Sequence, residues 1–481
     1  MRSMIARGVA PLLAALLLTA CAAPAFKQPA IDTPAAFKEA SAEVKTAPDG
    51  SVWRVARQAE QQPRGEWWLA FQDPRLTELV DEAARNNASL AVAAARVKQA
   101  RAIAGIAQAD RVPQVGLGIQ AQRARSAAQT SYSASLSASY EVDLFGRVGA
   151  NIEAARQDAG ASEASYRSVL LSLQADVAQT WFRLRALDAE LATVDSAVRL
   201  REESVRVNQR RFDLGDIGEF DLTRARTELS ATRAEAIGLQ RQRTNAEHAL
   251  AVLLGRPAAR FTAITSPLPD TVALPAIPAG LPSSLLERRP DIAAAQRAME
   301  AANARIGVAR AAMFPALSLN AAGGGVGGTM ADVFNWSSRS WVLGALLSLP
   351  IIDGGRNKAN VTRSEAALEE SVAAYREQVL VAFAEVEDNL AGVRILAAQG
   401  AQLDDAVRSA RRSAELARKL YDAGRSSYLD LLDAQRNLAT SERSAVQLRG
   451  NQALTTVALI RALGGGWDAP AQEAAQPLAA R

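Results

Sequence analysis

The 481-residue chain holds one cysteine, Cys21, and one histidine, His248. A disulfide framework is therefore excluded, and with it most metal sites built from thiolate and imidazole clusters. His248 has no second histidine to join it and is read as a surface or packing residue. Aromatic residues make up only 5 % of the chain. With abundant Ala, Leu, Arg, Gln and Glu, this points to long helices rather than a compact mixed core. The formal charge is +4, and the 55 Lys and Arg are spread along the chain. Without a dense basic block, no nucleic-acid partner is expected. No nucleophile–base set, metal cluster or phosphate loop is legible, so no enzyme activity is expected. After residue 20 no run of about 20 apolar residues occurs, the length a membrane-spanning helix needs. Any crossing of a bilayer must be made by strands.

What is present is a sequence written twice. The stretches RRFDLGDIGEFDLTRARTEL (210–229) and KLYDAGRSSYLDLLDAQRNL (419–438) match at a constant offset of 209, which pairs Gly215 with Gly424, Asp221 with Asp430 and Ala225 with Ala434. The same offset pairs Arg147 with Arg356 and Leu254-Gly255 with Leu463-Gly464. This period is far above the roughly 20–50 residues of short solenoid repeats. It implies two copies of one large unit in a pseudo-symmetric protomer.

Residues 1–20 read as a signal peptide: Arg2 and Arg7 precede an apolar run from Val9 to Leu18 that is too short to span a bilayer. Leu18-Thr19-Ala20-Cys21 resembles the bacterial lipobox. The resemblance implies cleavage before Cys21 and a covalent N-terminal lipid, with diacylglycerol on sulfur and an acyl chain on the new amine. Each buried methylene would add about 0.8 kcal/mol of anchoring. The alternative is an ordinary signal with an incidental cysteine. Ala22, rather than Asp, implies sorting to the outer membrane. Residues 21–66, rich in Ala, Pro and Gln, are then a lipidated N-terminal extension.

The first structural repeat is placed at 67–255. Asp73-Pro74 starts a helix, Asp as cap and Pro in the first turn, expected to run to about Arg111. Val115, Leu117 and Ile119 alternate, as do Ala134, Leu136, Ala138 and Tyr140, which predicts a hairpin of strands about ten residues long. A helix then runs without proline from Arg147 to Phe212, about 100 Å at 1.5 Å per residue. It ends near Gly215 and returns as a shorter helix to Gly255. A Pro-rich linker, 256–282, leads to the second repeat at 283–464. There, Pro315, Leu317 and Leu319 precede an expected Gly-rich loop containing Thr329, Asp332 and Trp336, then an alternating strand from Trp341 to Leu349. The second long helix runs from Arg356 to Tyr421. Residues 465–481 are expected to be a disordered tail. Four strands per chain cannot close a barrel, so membranous strands would require several copies. Tyr132, Tyr140, Phe145, Phe334, Trp336 and Trp341 fall at strand ends and suit an aromatic girdle or internal packing.

Ordered along the chain, Trp68, Phe71, Asp73-Pro74, Asn87, Pro113, YEVDLFGR (140–147), LSLPIIDGGR (347–356) and the two G-x5-D-L tips at Gly215–Leu222 and Gly424–Leu431 resemble the TolC-like outer membrane factors. With the lipobox, the chain looks most like their lipoprotein branch, the outer-membrane efflux lipoproteins of tripartite RND-type pumps. The resemblance covers about residues 67–464. It implies a mixed fold, a membrane β-barrel plus an all-α periplasmic coiled-coil barrel. Two pseudo-repeats and four strands per protomer would make a homotrimer with a 12-stranded barrel. It further implies a passive exit duct in outer-membrane lipid, partnered by a periplasmic adaptor and an inner-membrane pump.

The periplasmic gate is expected at the tip turns. Leu429, Asp430 and Asp433 lie on the first turns of the second returning helix, the two carboxylates on one face. In a trimer they would ring a narrow opening with six acids. Asp430 equally suits a helix cap, and Leu429 equally suits packing. Asp221 and Tyr421 match family positions that link helical pairs in the shut state. The family's basic partner aligns with Ser426, beside Arg425. Leu214, Gly215, Asp216, Ala423, Gly424 and Arg425 are expected to flank grooves for the adaptor's helical hairpins. Competing readings are the outer component of a type I protein secretion system and a non-channel trimeric coiled-coil stalk.

Overall fold

The computed structural model describes residues 26–30, 33–39, 65–123, 130–269, 274–275, 277 and 288–465. The expected signal peptide, the lipobox with Cys21 and the tail from 466 onward lie outside the described residues. The elements are α1 (Pro74–Asn86), α2 (Ala88–Ala109), β1 (Gln114–Gln122), β2 (Ser131–Val142), α3 (Arg147–Asp213) and α4 (Glu219–Leu253) in the first half. They are followed by α5 (Pro290–Ala311), β3 (Ala316–Gly327), β4 (Arg339–Ser348), α6 (Arg356–Asp422) and α7 (Tyr428–Ala462). The long helices α3 and α6 have 67 residues each, and the returning helices α4 and α7 have 35 each. One compact unit is built on Ala93–Tyr166 and Asp291–Val379. The other is built on Thr33–Val92, Arg167–Pro290 and the chain from Leu380 onward.

The first unit carries a four-stranded antiparallel sheet in the order β1-β2-β3-β4. Successive side chains alternate between faces, and the register Leu117↔Leu136, Leu136↔Gly323 and Gly323↔Trp341 keeps cross-strand partners on one face. That face bears Val115, Leu117, Ile119, Leu343 and Leu347, each more than 60 % exposed. The opposite face bears Gln120, Ser133, Ser135, Ser137 and Asn320, with Val326, Val342 and Leu346 towards the β4 side. The outer edges of β1 and β4 have no strand partner among the described residues.

One expectation is corrected here. The glycine run is not a loop: β3 continues through Gly323, Gly324 and Gly325 to Gly327. A Cβ at Gly325 would overlap the Val333 carbonyl, and one at Gly327 would lie 2.5 Å from the Asp332 side chain. Glycine therefore lets the residue 328–338 connection fold down onto the strand, where Val333 is buried. Each long helix leaves the sheet through a carboxylate cap. Asp143 accepts from the Val148 and Gly149 amides (2.9 and 2.7 Å). Asp353 accepts from the Gly355 and Asn357 amides (2.8 and 2.9 Å), and these bonds hold its carboxyl below the usual range. Of the aromatic set, Phe334, Trp336 and Trp341 are strongly exposed, whereas Phe145 stacks on Phe314 at 5.1 Å.

In the second unit the helix from Asp73 does not run unbroken to Arg111, which is a second correction. Asn87 is extended (φ −68°, ψ 127°) and divides it into α1 and α2. Its Oδ1 accepts from the Leu90 amide (3.0 Å), so it caps α2, while its Nδ2 donates to the Leu253 carbonyl at the end of α4 (2.9 Å). An asparagine that caps competes with helix continuation. The second copy repeats the tie with different chemistry: Arg289 Nη1 donates to the Ala462 carbonyl at the end of α7 (3.1 Å). Leu253 and Ala462 are related by the same offset of 209.

Asp73 is the most connected cap. Oδ1 accepts from the Arg75 and Leu76 amides, and Oδ2 accepts from Trp181 Nε1 and Arg185 Nη1, both at 2.8 Å. Beneath it Phe71 meets Phe182 at 5.0 Å, and Trp67 and Trp68 are buried. Asp73→Ala removes the cap and leaves Arg185, 17 % exposed, without its carboxylate. The expected cost is about 3 kcal/mol, read as a lower midpoint in chemical denaturation of the detergent-solubilised protein.

Candidate functional site

The two tip turns are built alike. At the first, the Gly215 amide donates to the Phe212 carbonyl (2.9 Å) and the Asp216 amide to the Arg211 carbonyl (2.8 Å). At the second, the Gly424 amide donates to Tyr421 (2.9 Å) and the Arg425 amide to Leu420 (2.8 Å). These are paired 6→1 and 5→2 bonds closing each long helix. They need a left-handed residue, and Gly215 (φ 78°) and Gly424 (φ 68°) supply it. Leu214, Gly215, Asp216, Ala423, Gly424 and Arg425 are all exposed. No heavy atom lies within 4 Å of a Cβ built at either glycine.

The returning helices start differently. Ser427, the N-cap of α7, accepts from the Asp430 amide through Oγ (3.2 Å). The Asp430 carboxylate accepts in return from the Ser427 amide (3.0 Å) and hydroxyl (2.8 Å). This is a reciprocal capping box. The Ser427 hydroxyl and amide hold the Asp430 carboxyl below the usual range. Its share of the cap is thus in place above the ordinary carboxylate range and is lost as pH falls through the lowered value. The matching start of α4 has Gly218 at the cap and no side-chain bond. Asp221 there is half-buried and has no serine to cap with. Asp433 is exposed, with Arg436 Nη1 3.9 Å away, and Leu429 is 40 % exposed.

Tyr421 is where the two copies meet at the tip. Its hydroxyl accepts from Arg211 Nη1 (2.6 Å) and donates to Asn208 Oδ1 (3.3 Å), and the Arg211 guanidinium also lies over the ring at 5.3 Å. Its ring packs against a core of Ala225, Tyr428 and Leu432. Neither Asp221 nor Arg425 is among these partners. The basic residue that meets Tyr421 in this structure is Arg211, from the end of α3. Arg425 sits on an exposed turn.

Behind this contact lies a polar layer with no local sequence signal. Arg201, 5 % exposed, donates to Gln435 Oε1 (2.9 Å). Burial pushes its guanidinium down, against the pull of the Glu228 carboxylate, and pushes the Tyr428 phenol up. The Ser426 and Tyr428 hydroxyls are buried and have no hydrogen-bond partner. Glu228 of α4 is bidentate to Arg436 of α7, and that bond holds its carboxyl low. Arg443 of α7 joins Glu190 (2.5 Å) and Glu235. Of these, only the Ser427–Asp430 box was readable as a motif, from Ser-x-x-Asp ahead of an apolar run. The remaining pairs join distant segments. Among the described residues no group of three or more His, Cys, Asp or Glu could hold a metal ion.

Tyr421→Phe removes the hydroxyl and leaves the Asn208 carbonyl oxygen, in a residue 1 % exposed, without its partner. The expected loss is about 1–3 kcal/mol, measured as faster hydrogen exchange over 205–213 and 419–432.

The family model "Outer membrane efflux protein" matches residues 79–256 and 281–465, one segment for each repeat. Outer membrane protein OprJ of Pseudomonas aeruginosa is 35 % identical over 473 residues, covering 96 % of each chain. Cation efflux system protein CusC of Escherichia coli is 33 % identical over 464 residues, covering 95 % of this chain and 98 % of its own. The crystal structure of the open state of the Neisseria gonorrhoeae MtrE outer membrane channel superposes with a TM-score of 0.80 at 30 % identity, covering 93 % and 98 %. The chain belongs to the outer membrane efflux protein family and has its TolC-type fold.

Proposed function

We propose that the chain is the exit duct of a tripartite efflux system, working as a homotrimer with a periplasmic adaptor and an inner-membrane RND-type pump. The observation that carries this reading is the sheet: one apolar face, one face rich in Ser and Gln over β1–β2, and two edges without a strand partner among the described residues. Open edges are not tolerated in lipid. Pairing β1 of one copy with β4 of the next closes a barrel, and three copies give twelve strands. The apolar face then meets lipid, and the Ser and Gln face lines an aqueous lumen. The helices lie on the periplasmic side, and the chain hydrolyses nothing. In the same reading Cys21 carries the lipid that anchors the N-terminus, which is the lipoprotein form of the family.

The gate belongs at the second tip. Asp433 is exposed and only distantly paired, so its charge is free to face a pore. Asp430 is engaged by Ser427, so its carboxylate serves the cap before it serves ion capture. Leu429 narrows the same opening, the Tyr421–Arg211 contact holds the helix ends together, and Asp221 on the first turn of α4 joins this link when the duct is shut. Asp433→Asn should weaken block by multivalent cations in planar bilayers without lowering thermal stability. Asp430→Ala should raise conductance and also lower thermal stability by removing one half of the capping box. Conductance and cation block unchanged in both variants would remove the gate from this tip.

Adaptor hairpins dock in grooves flanked by Leu214, Gly215 and Asp216 at one tip and Ala423, Gly424 and Arg425 at the other. Gly424→Trp places bulk at an open, left-handed position. It should leave a conducting trimer that no longer co-purifies with adaptor and pump. Normal assembly and efflux by this variant would refute docking there. The doubled sheet and tips favour a duct over a coiled-coil stalk, and a protein that forms trimers but conducts no ions would restore the stalk.

A further inference from the structure

The connection between β3 and β4 does something the first hairpin has no counterpart for among the described residues. It folds back over the apolar face of the sheet near the hairpin end. Val333 is buried against β3 there, Phe334 and Trp336 stay 68 % and 81 % exposed, and a groove of about 430 Å³ opens between this connection and the strands. Leu117, Leu136, Phe334 and Trp341 line it.

Arg339, the first residue of β4, stands at its rim. Its register partner Gly325 places it on the apolar face, where it is the one charged strand residue; the other charged residue of the strands, Glu141, lies on the opposite face. Its guanidinium lies 4.6 Å from the Trp336 ring centre, and Trp341 follows two residues on along the same face. A cation on a lipid face costs about 2–4 kcal/mol at the bilayer midplane and falls towards zero at the interface. An arginine retained there, stacked on an indole, is held ready for an anion at the level of the lipid headgroups.

The position selects the leaflet. The opposite strand ends, at Gln114, Val142, Ala316 and Ser348, are the ones that lead to helices. If the helices are periplasmic, this hairpin end faces the outer leaflet. Resting on the duct reading of the sheet, we infer that this groove is a binding site for a phosphorylated glycolipid of the outer leaflet. An acyl chain lies along Leu117 and Leu136, and a sugar phosphate pairs with Arg339. The bidentate fork of arginine suits a phosphate better than a lysine would.

The test uses the full-length protein in mild detergent, titrated by native mass spectrometry. The probes are a diphosphorylated glucosamine-based glycolipid, its dephosphorylated form, and phosphatidylglycerol. The wild-type protein should prefer the diphosphorylated glycolipid over the dephosphorylated one by about tenfold, the scale of one charge-assisted hydrogen bond. Arg339→Gln should abolish that preference, and Arg339→Lys should retain part of it. Equal binding of the two glycolipids by the wild type overturns the site without needing any variant. So does a preference that survives Arg339→Gln, and so does phosphatidylglycerol binding as tightly as the glycolipid. Conductance on the same preparations tests the duct separately: a wild-type protein that conducts but ignores the phosphate overturns the site and leaves the duct standing.

Discussion

The fold depends on where its helices stop. A long helix of alanine, leucine and charged residues has no reason of its own to end after 67 residues. It ends because a left-handed glycine turns the last amides back onto the helix's own carbonyls, at Gly215 and Gly424 alike. The returning helices end the same way 209 positions apart, at Gly255 and Gly464. Their last carbonyls are then held by side chains that differ between copies, an asparagine amide and an arginine guanidinium. Equal lengths keep the two copies in phase, so equivalent turns and equivalent strands can serve one assembly.

Equivalence holds for the backbone and fails for the side chains. The backbone bonds of the two tips are superimposable in pattern. The helix starts that follow are not, because Ser427 caps where Gly218 does not. Tyr421 holds Arg211 and Asn208, whereas Phe212, its counterpart at offset 209, is exposed and has no hydroxyl. The buried arginine, Arg201, is tied to a glutamine of the second copy. Charge and polarity thus accumulate between the copies at the second tip. A duct that opens and shuts has to place its changeable contacts on such an asymmetric layer, because the symmetric backbone turns are needed in every state.

The sheet solves a different problem with similar economy. Alternation gives one apolar face and one rich in Ser and Gln, broken by Val326, Val342 and Leu346, and a run of glycines lets the second connection lie on the apolar one. The cost is paid locally, in side-chain volume forgone at Gly325 and Gly327. What is gained is an aromatic and basic rim of Trp336, Arg339 and Trp341 at the hairpin end of the sheet.

Much of this was written in the chain. Periodicity, the 209-residue offset and the glycine positions determined the helix and strand order and the turns, because these follow from local sterics and hydrophobic spacing. The capping box at Ser427 was readable too, although Asp430 alone suggested a pore as readily as a cap. Three things needed the tertiary structure. Asn87 breaks a helix whose apolar pattern continues past it, because its side chain finds a cap and a distant carbonyl together. The glycine run is strand rather than loop, because what it accommodates is a connection packed onto it. The partner of Tyr421 is Arg211, some 210 residues away, and no local pattern encodes which of many arginines will arrive there. Local rules set the elements; only the meeting of segments far apart in sequence decides which polar groups satisfy one another.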